Sequence, residues 1–266
     1  PGFLFLISML PSTMSSTVSR LVTTRLPLSK RFSTLHVYDH CPYCIRVDLF
    51  CGWNNIKYER KLWGYGDVEG PVRLTGKKQL PVLEYYDHET KENVCLPESL
   101  DIINHLMRTT DTIASFPVAT EREALKIWEK KHKVAVNDLT RSRILKMPAK
   151  LVDFATERDR KYAIDKYTKS GFSYAAAEAR EEEAMKECEE SLQEFEELFL
   201  GSSSASTNNV LSLHGGSEYG MDDVIYLPNL RKLTCVKDLN IPKRVREYIV
   251  TGCNNANLKM YDDWAL

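Results

Sequence analysis

The chain has 266 residues, 43% of them apolar and 27% charged, with a formal net charge of −1. That balance excludes wholesale disorder and offers no global basic field for nucleic acid. The longest apolar block, residues 3–10, is too short to span a bilayer. Seven cysteines spread over so long a chain exclude a disulfide-stapled secreted scaffold. They fit a reducing compartment in which one or two thiols do chemistry.

The first acid of the chain is Asp39. Before it, Arg20, Arg25, Lys30 and Arg31 lie among many serines and threonines. An acid-free, basic, hydroxyl-rich leader has the composition of an organelle transit peptide, mitochondrial or plastid, and we assign it to residues 1–33. The expected start is Met9 or Met14 and the expected cleavage falls near residues 32–34. Cleavage moves the net charge from −1 to about −5, because four bases and no acid are lost. Without cleavage the expected location is cytoplasmic.

Residues 34–39 read as a strand rich in β-branched and aromatic side chains. Pro42 suits an early helical position. Residues 45–53 continue with Val47, Leu49, Phe50 and Trp53 at helical spacing. Residues 56–62 read as a second strand and residues 67–74 as a short helix closed by Gly76. Residues 80–86 and 94–96 read as two further strands around polar turn material. Residues 98–107 read as a helix carrying Leu100, Ile103 and Leu106 on one face. The order β-α-β-α-β-β-α defines a small α/β domain over residues 34–108.

Strand signals stop there. Residues 109–120 form a polar linker, and residues 121–266 read as an all-helical domain. Its helices are expected over residues 121–139, 151–167, 175–200, 222–236 and 242–252. In the clearest of them Met185, Cys188, Leu192, Phe195 and Phe199 recur at three- and four-residue spacing among glutamates, a core stripe with a solvated back. A dimer seam is the sharper alternative for that stripe. Residues 201–216, rich in Ser, Asn and Gly, read as a long loop.

The chemistry centres on Cys41-Pro42-Tyr43-Cys44, which follows the first strand and opens a helix. Two thiols at this spacing can close a disulfide across one turn. The free N–H groups and positive end of a helix favour a thiolate at Cys41, and Cys44, one turn inside, suits a resolving role. The β-α-β context makes this a thioredoxin-like redox pair. A zinc site needs a second ligand pair; Cys51 and Cys95 supply none, and no metal is expected. Cys51, Cys188, Cys235 and Cys253 read as buried and inert, and Cys95 has no assigned role. Pro81 enters a strand and belongs at an edge or turn; a cis Leu80–Pro81 bond would leave the Leu80 backbone open to an extended peptide. Glu98 and Ser99 begin a helix, where an ammonium and a carboxylate can be held, or where they simply cap it.

Taken with Tyr38-Asp39-His40 before the cysteine pair, Gly76-Lys77-Lys78-Gln79-Leu80-Pro81-Val82-Leu83, Pro97-Glu98-Ser99-Leu100-Asp101-Ile102, Asp222-Asp223-Val224 and residues 227–234, these motifs resemble the two-domain, bacterial-type glutaredoxin 2 family. The resemblance runs from about Leu35 to the C-terminus. It implies a glutathione-transferase-like architecture, a thioredoxin-like domain on an all-α domain, with glutathione as co-substrate and no tightly bound cofactor. It implies Cys41 as nucleophile and Cys44 as resolving thiol. It places Tyr43, Lys78, Leu80, Pro81, Glu98 and Ser99 around the tripeptide: Leu80 on the cysteinyl unit, Glu98 and Ser99 on the γ-glutamyl end, Lys78 on the glycyl carboxylate. One departure stands out: Gly220 occupies a helix-capping position where Ser or Thr is usual in such folds.

The expected activity is reduction of protein–glutathione mixed disulfides and of disulfides. The alternatives are a glutathione transferase or dehydroascorbate reductase on the same fold, or a module holding an iron–sulfur cluster through Cys41 and glutathione. The expected partners are glutathione and glutathionylated or disulfide-bearing proteins, with no nucleic acid and no membrane. Lys126, Lys130, Lys131 and Lys133 read as one solvated helix face. Two domains of this size bury enough apolar surface for a monomer.

Overall fold

The computed structural model describes residues 33–110, 113, 115–147, 151–201, 211–214 and 218–266. The expected leader, apart from Ser33, and most of the loop expected over residues 201–216 lie outside them.

Among the described residues, four strands form one mixed sheet in the order β2-β1-β3-β4. They are β1 (Thr34–Val37), β2 (Glu59–Leu62), β3 (Val82–Asp87) and β4 (Glu92–Pro97). The most apolar strand, β1, lies inside, with Leu35 and Val37 fully buried. It pairs parallel with β2 and antiparallel with β3. Helix α1 (Pro42–Trp53) makes the crossover from β1 to β2 that a parallel pair requires. Helix α2 (Glu69–Thr75) ends on Gly76 at φ 77°, the left-handed stop expected of glycine. Helix α3 (Ser99–Thr109) closes the unit. Ile45, Leu49 and Phe50 of α1 and Ile102 and Ile103 of α3 are buried with the sheet. This is a thioredoxin-like α/β arrangement.

The register fixes where the site lies. His36 pairs with Val82, and Val82 with Pro97. The C-terminal ends of β1 and β4 and the N-terminal end of β3 therefore share one edge. The segments that follow or precede those ends carry Cys41, Glu98 and Pro81.

From residue 123 onward the described chain is helical. Helix α4 (Glu123–Leu145) extends beyond the expected residue 139, because Ile144 and Leu145 continue its buried face. The single helix expected over residues 151–167 is instead a 3₁₀ turn, Val152–Phe154, followed by α5 (Glu157–Lys169). Thr156 causes the break: its hydroxyl accepts the Asp159 N–H at 3.2 Å and caps a new helix. The long helix expected over residues 175–200 also divides, into α6 (Tyr174–Ala179), α7 (Glu181–Phe195) and a π turn, Glu196–Leu200. Arg180 leaves helical geometry between α6 and α7, and its guanidinium bridges Asp138 and Glu187. The apolar stripe of α7 is core within this chain: Cys188, Leu192 and Phe195 are buried, and Phe195 lies 4.7 Å from Trp128 of α4. Helices α8 (Met221–Lys232) and α9 (Lys243–Asn255) complete the set, with a 3₁₀ turn, Leu233–Cys235, after α8.

The sheet unit and the helices share one compact body. Trp53 at the end of α1 stacks on Tyr219 with centroids 4.1 Å apart and donates its indole N–H to Gly252 O at 2.9 Å. Beside it, a Cβ on Gly52 would fall 2.5 Å from the carbonyl oxygen of Ala256, so only glycine lets α1 approach so closely. Gly220 caps α8 as expected, and the reason for glycine is steric: a Cβ there would sit 2.2 Å from Nε2 of His214. The cap runs in reverse, the Gly220 N–H donating to Asp223 at 2.8 Å. Among the described residues no helix is long and apolar enough to cross a membrane.

Candidate active site

Cys41 is the N-cap of α1, in extended geometry, with Pro42 in the first helical turn where a missing N–H costs nothing. Its sulfur lies against the N–H groups of Tyr43 and Cys44. Its thiol is lowered to about 6, first by the hydrogen bond from the Cys44 thiol, then by His40 and those two N–H groups, against the opposing effect of burial. Cys44 is fully buried, accepts the Tyr38 N–H at 3.3 Å, and is pushed well above the ordinary thiol value by burial and by the Cys41 sulfur beside it. The two sulfurs are not joined in a disulfide. The arrangement is a thiolate facing a cleft with a protonated partner underneath.

The cleft has a volume of about 470 Å³ and opens between the sheet unit and the helices. Of the residues singled out in the sequence, Cys41, Tyr43, Lys78 and Leu80 line it. Tyr43 is 55% exposed and the Arg46 guanidinium lies 4.8 Å from its ring centroid. The Lys78 ammonium reaches the carbonyl oxygen of Tyr65 and the face of Tyr162, 3.2 Å from its centroid. Burial and the neighbouring Lys166 bring Lys78 down to about 8. The Leu80–Pro81 bond is cis.

Pro81, Glu98 and Ser99 do not line the cleft itself; the sheet register places them at the same edge. Glu98 is exposed and holds φ at 70°, an uncommon backbone state for a residue with a side chain. It is the N-cap of α3, and buried Ser99 is the first helical residue. The free N–H groups of that helix start face no partner in the helix. Cys51, Cys188, Cys235 and Cys253 are buried, and burial raises each thiol. Cys95 is half-buried in β4 opposite Glu84. His36 is held between Glu84 at 3.0 Å and the indole N–H of Trp63 at 3.1 Å.

Several site residues carry no signal in the sequence. Asp153, in the 3₁₀ turn before α5, is fully buried and takes three bonds from the loop that precedes Cys41. It accepts the N–H of Asp39 at 2.9 Å and of His40 at 2.7 Å, and its Oδ2 lies 2.6 Å from His40 Nδ1. Tyr261 donates its hydroxyl to Asp39 O at 3.1 Å, and Arg60 joins Asp39 to buried Asp48 at 2.8 and 3.0 Å. Tyr65 packs edge-on to both Tyr38 and His40, and Lys166 donates to its hydroxyl at 2.8 Å. These partners lie far apart in the chain, so only the fold brings them to Cys41.

Residues 124–265 match the family profile described as glutaredoxin 2, C terminal domain, and residues 35–112 match glutathione S-transferase, N-terminal domain. Glutaredoxin 2 of Escherichia coli strain K12 is 30% identical over 216 residues, which cover 80% of this chain and 91% of that protein. Among solved structures, glutaredoxin 2 of Salmonella typhimurium in complex with glutathione superposes with a TM-score of 0.76 at 24% identity, covering 89% of this chain and all of that one. The glutathione transferase GSTFuA3 of Phanerochaete chrysosporium superposes at 0.61 and 14% identity, over 85% of this chain and 97% of that one.

Proposed function

The chain belongs to the glutaredoxin 2 family, whose activity is glutathione-dependent thiol oxidoreduction, and from that premise we propose how its own residues carry the reaction. The Cys41 thiolate attacks the glutathione sulfur of a mixed disulfide. A bond forms between Cys41 and glutathione, and the substrate thiolate leaves and takes a proton. A second glutathione thiolate then attacks the glutathione sulfur on Cys41, releasing glutathione disulfide and restoring the thiolate. The observation that carries this reading is the depressed Cys41 thiol at the α1 N-cap, open to the cleft, above a buried thiol that donates to it. Burial and the high pKa of Cys44 favour this route over resolution by Cys44.

Glutathione lies along the shared edge of β1, β3 and β4. The Leu80 backbone takes the cysteinyl unit, the α3 start at Glu98 and Ser99 takes the γ-glutamyl end, and Lys78 attracts the glycyl carboxylate. The test is turnover of a glutathionylated thiol coupled to glutathione reductase. Cys41→Ser abolishes it and Cys44→Ser retains it; turnover by Cys41→Ser refutes the assignment.

The acid-free leader supports delivery to an organelle, and sequencing the N-terminus of protein purified from its own cells tests that. We read the protein as a monomer acting on protein–glutathione mixed disulfides; sedimentation equilibrium at micromolar concentration tests the former.

A further inference from the structure

The cleft extends from Cys41 along α4 and α8 of the helical half. Among its described lining residues six are lysine or arginine, and Glu129 is the one carboxylate. Three of the cations stand on different helices: Arg46 on α1, Arg141 on α4 and Lys232 on α8. None of the three pairs with a carboxylate among the described residues. Arg46 lies over Tyr43, and its Nε is buried without a hydrogen-bond partner among the described residues. Arg141 lies 4.4 and 4.5 Å from the ring centroids of Tyr167 and Phe172, held by aromatic faces and not by an acid. Burial depresses the Lys232 ammonium; the Cys41 sulfur supports its charge and Arg141 opposes it, which places all three in one field. Glu129 accepts the amide of Asn229 at 2.9 Å and acts on both Arg46 and Lys232, one carboxylate against six cations.

Half-buried cations that make no direct ion pair are costly. A cleft that keeps three beside a reactive thiolate is prepared for an anion. The volume restricts that anion to a small molecule or to the tip of a larger one. We propose that Arg46, Arg141 and Lys232 form a carboxylate subsite for the leaving half of a small disulfide, so that glutathione mixed disulfides of small acidic thiols are preferred substrates. The inference rests on the glutathione reading above. Cys41 attacks the glutathione sulfur, the sulfur–sulfur bond of the substrate breaks, and the departing thiolate, already carrying a carboxylate, gathers negative charge beside the three cations before it is protonated. Stabilising that charge as it develops accelerates the step.

The test uses two substrates that share the glutathione half: its mixed disulfides with 3-mercaptopropionate and with 2-mercaptoethanol. The full-length protein is expected to favour the acidic substrate by about tenfold in kcat/KM, the size of one charge-assisted contact. Lys232→Gln and Arg141→Gln each bring that ratio close to unity, and Lys232→Arg retains most of it. If Arg141→Gln does not fold, the Lys232 pair carries the test alone. A parallel fall for both substrates, or no preference in the parent protein, overturns the subsite and leaves the glutathione reading standing. Turnover of neither mixed disulfide overturns both.

Discussion

Oδ2 of Asp153 lies 2.6 Å from Nδ1 of His40, the residue next to Cys41. The carboxylate belongs to the helical half and the imidazole to the sheet unit. Because Asp153 also accepts the N–H groups of Asp39 and His40, one buried carboxylate sets the backbone of the loop that delivers Cys41 to α1. The helical half therefore shapes the loop before Cys41 as well as walling the cleft.

Asp153→Ala tests that relationship. It strands two backbone N–H groups and a buried imidazole, which costs about 2–4 kcal/mol. For a folded body of this size the expected fall in Tm is about 4–16 °C. Alkylation of Cys41 by iodoacetamide at pH 7 should slow at the same time. A variant with wild-type Tm and wild-type alkylation would remove Asp153 from the site.

The Cys41 thiolate leans first on the Cys44 thiol. The alkylation rate of the wild-type protein should reach half its maximum near pH 6. Cys44→Ala removes a donor to a charged sulfur and moves the midpoint up by about 1–2 pH units, whereas Cys44→Ser keeps a donor and stays near the wild type. The thermodynamic sign follows. A thiol depressed by folding stabilises the fold fully above its unfolded value and loses that contribution as pH falls through about 6. Three superimposable alkylation curves would show that Cys44 plays no part.

How much of this could be read from the sequence depended on chain distance. The sequential order of strands and helices in residues 34–108, the Pro42 helix start and the Gly76 stop are written within a few residues, and local rules recover them. The breaks at Thr156 and Arg180 are hidden because apolar spacing continues through them, while a cap and a guanidinium bridging two carboxylates overrule it. Asp153, Tyr261 and Lys166 were invisible for a different reason. Nothing near them in the sequence distinguishes them from any polar residue of a helical domain, and their roles arise from contacts more than one hundred residues away in the chain.

The junction between halves makes its own prediction. The atoms nearest a Cβ on Gly52 are the backbone of Ala256, which cannot swing aside like a side-chain tip. Gly52→Ala must part α1 from α9 and strain the Trp53–Tyr219 stack, costing about 1–3 kcal/mol. Urea unfolding followed by tryptophan fluorescence measures it. A gain in stability, as alanine gives at an open helical position, would contradict the close approach.

At Gly220 two rules conflict. Capping preference says that Ser should stabilise the start of α8 by a few tenths of a kcal/mol over Gly. Packing says the opposite: the new Cβ would meet Nε2 of His214 at 2.2 Å and Cβ of Pro117 at 2.9 Å. The cap is also already supplied, because Asp223 takes the Gly220 N–H, the Leu213 N–H and the Tyr248 hydroxyl within 2.8 Å. A serine hydroxyl therefore adds little, and its carbon forces a ring to move. Gly220→Ser should lose about 1–3 kcal/mol. Among the described residues Nε2 of His214 has no hydrogen-bond partner, so His214→Ala clears the space without stranding a bond at that atom. The double variant should recover most of the loss, giving a coupling energy of about 1–2 kcal/mol in a thermodynamic cycle. Additive losses in the cycle would place the cost elsewhere in the α8 cap.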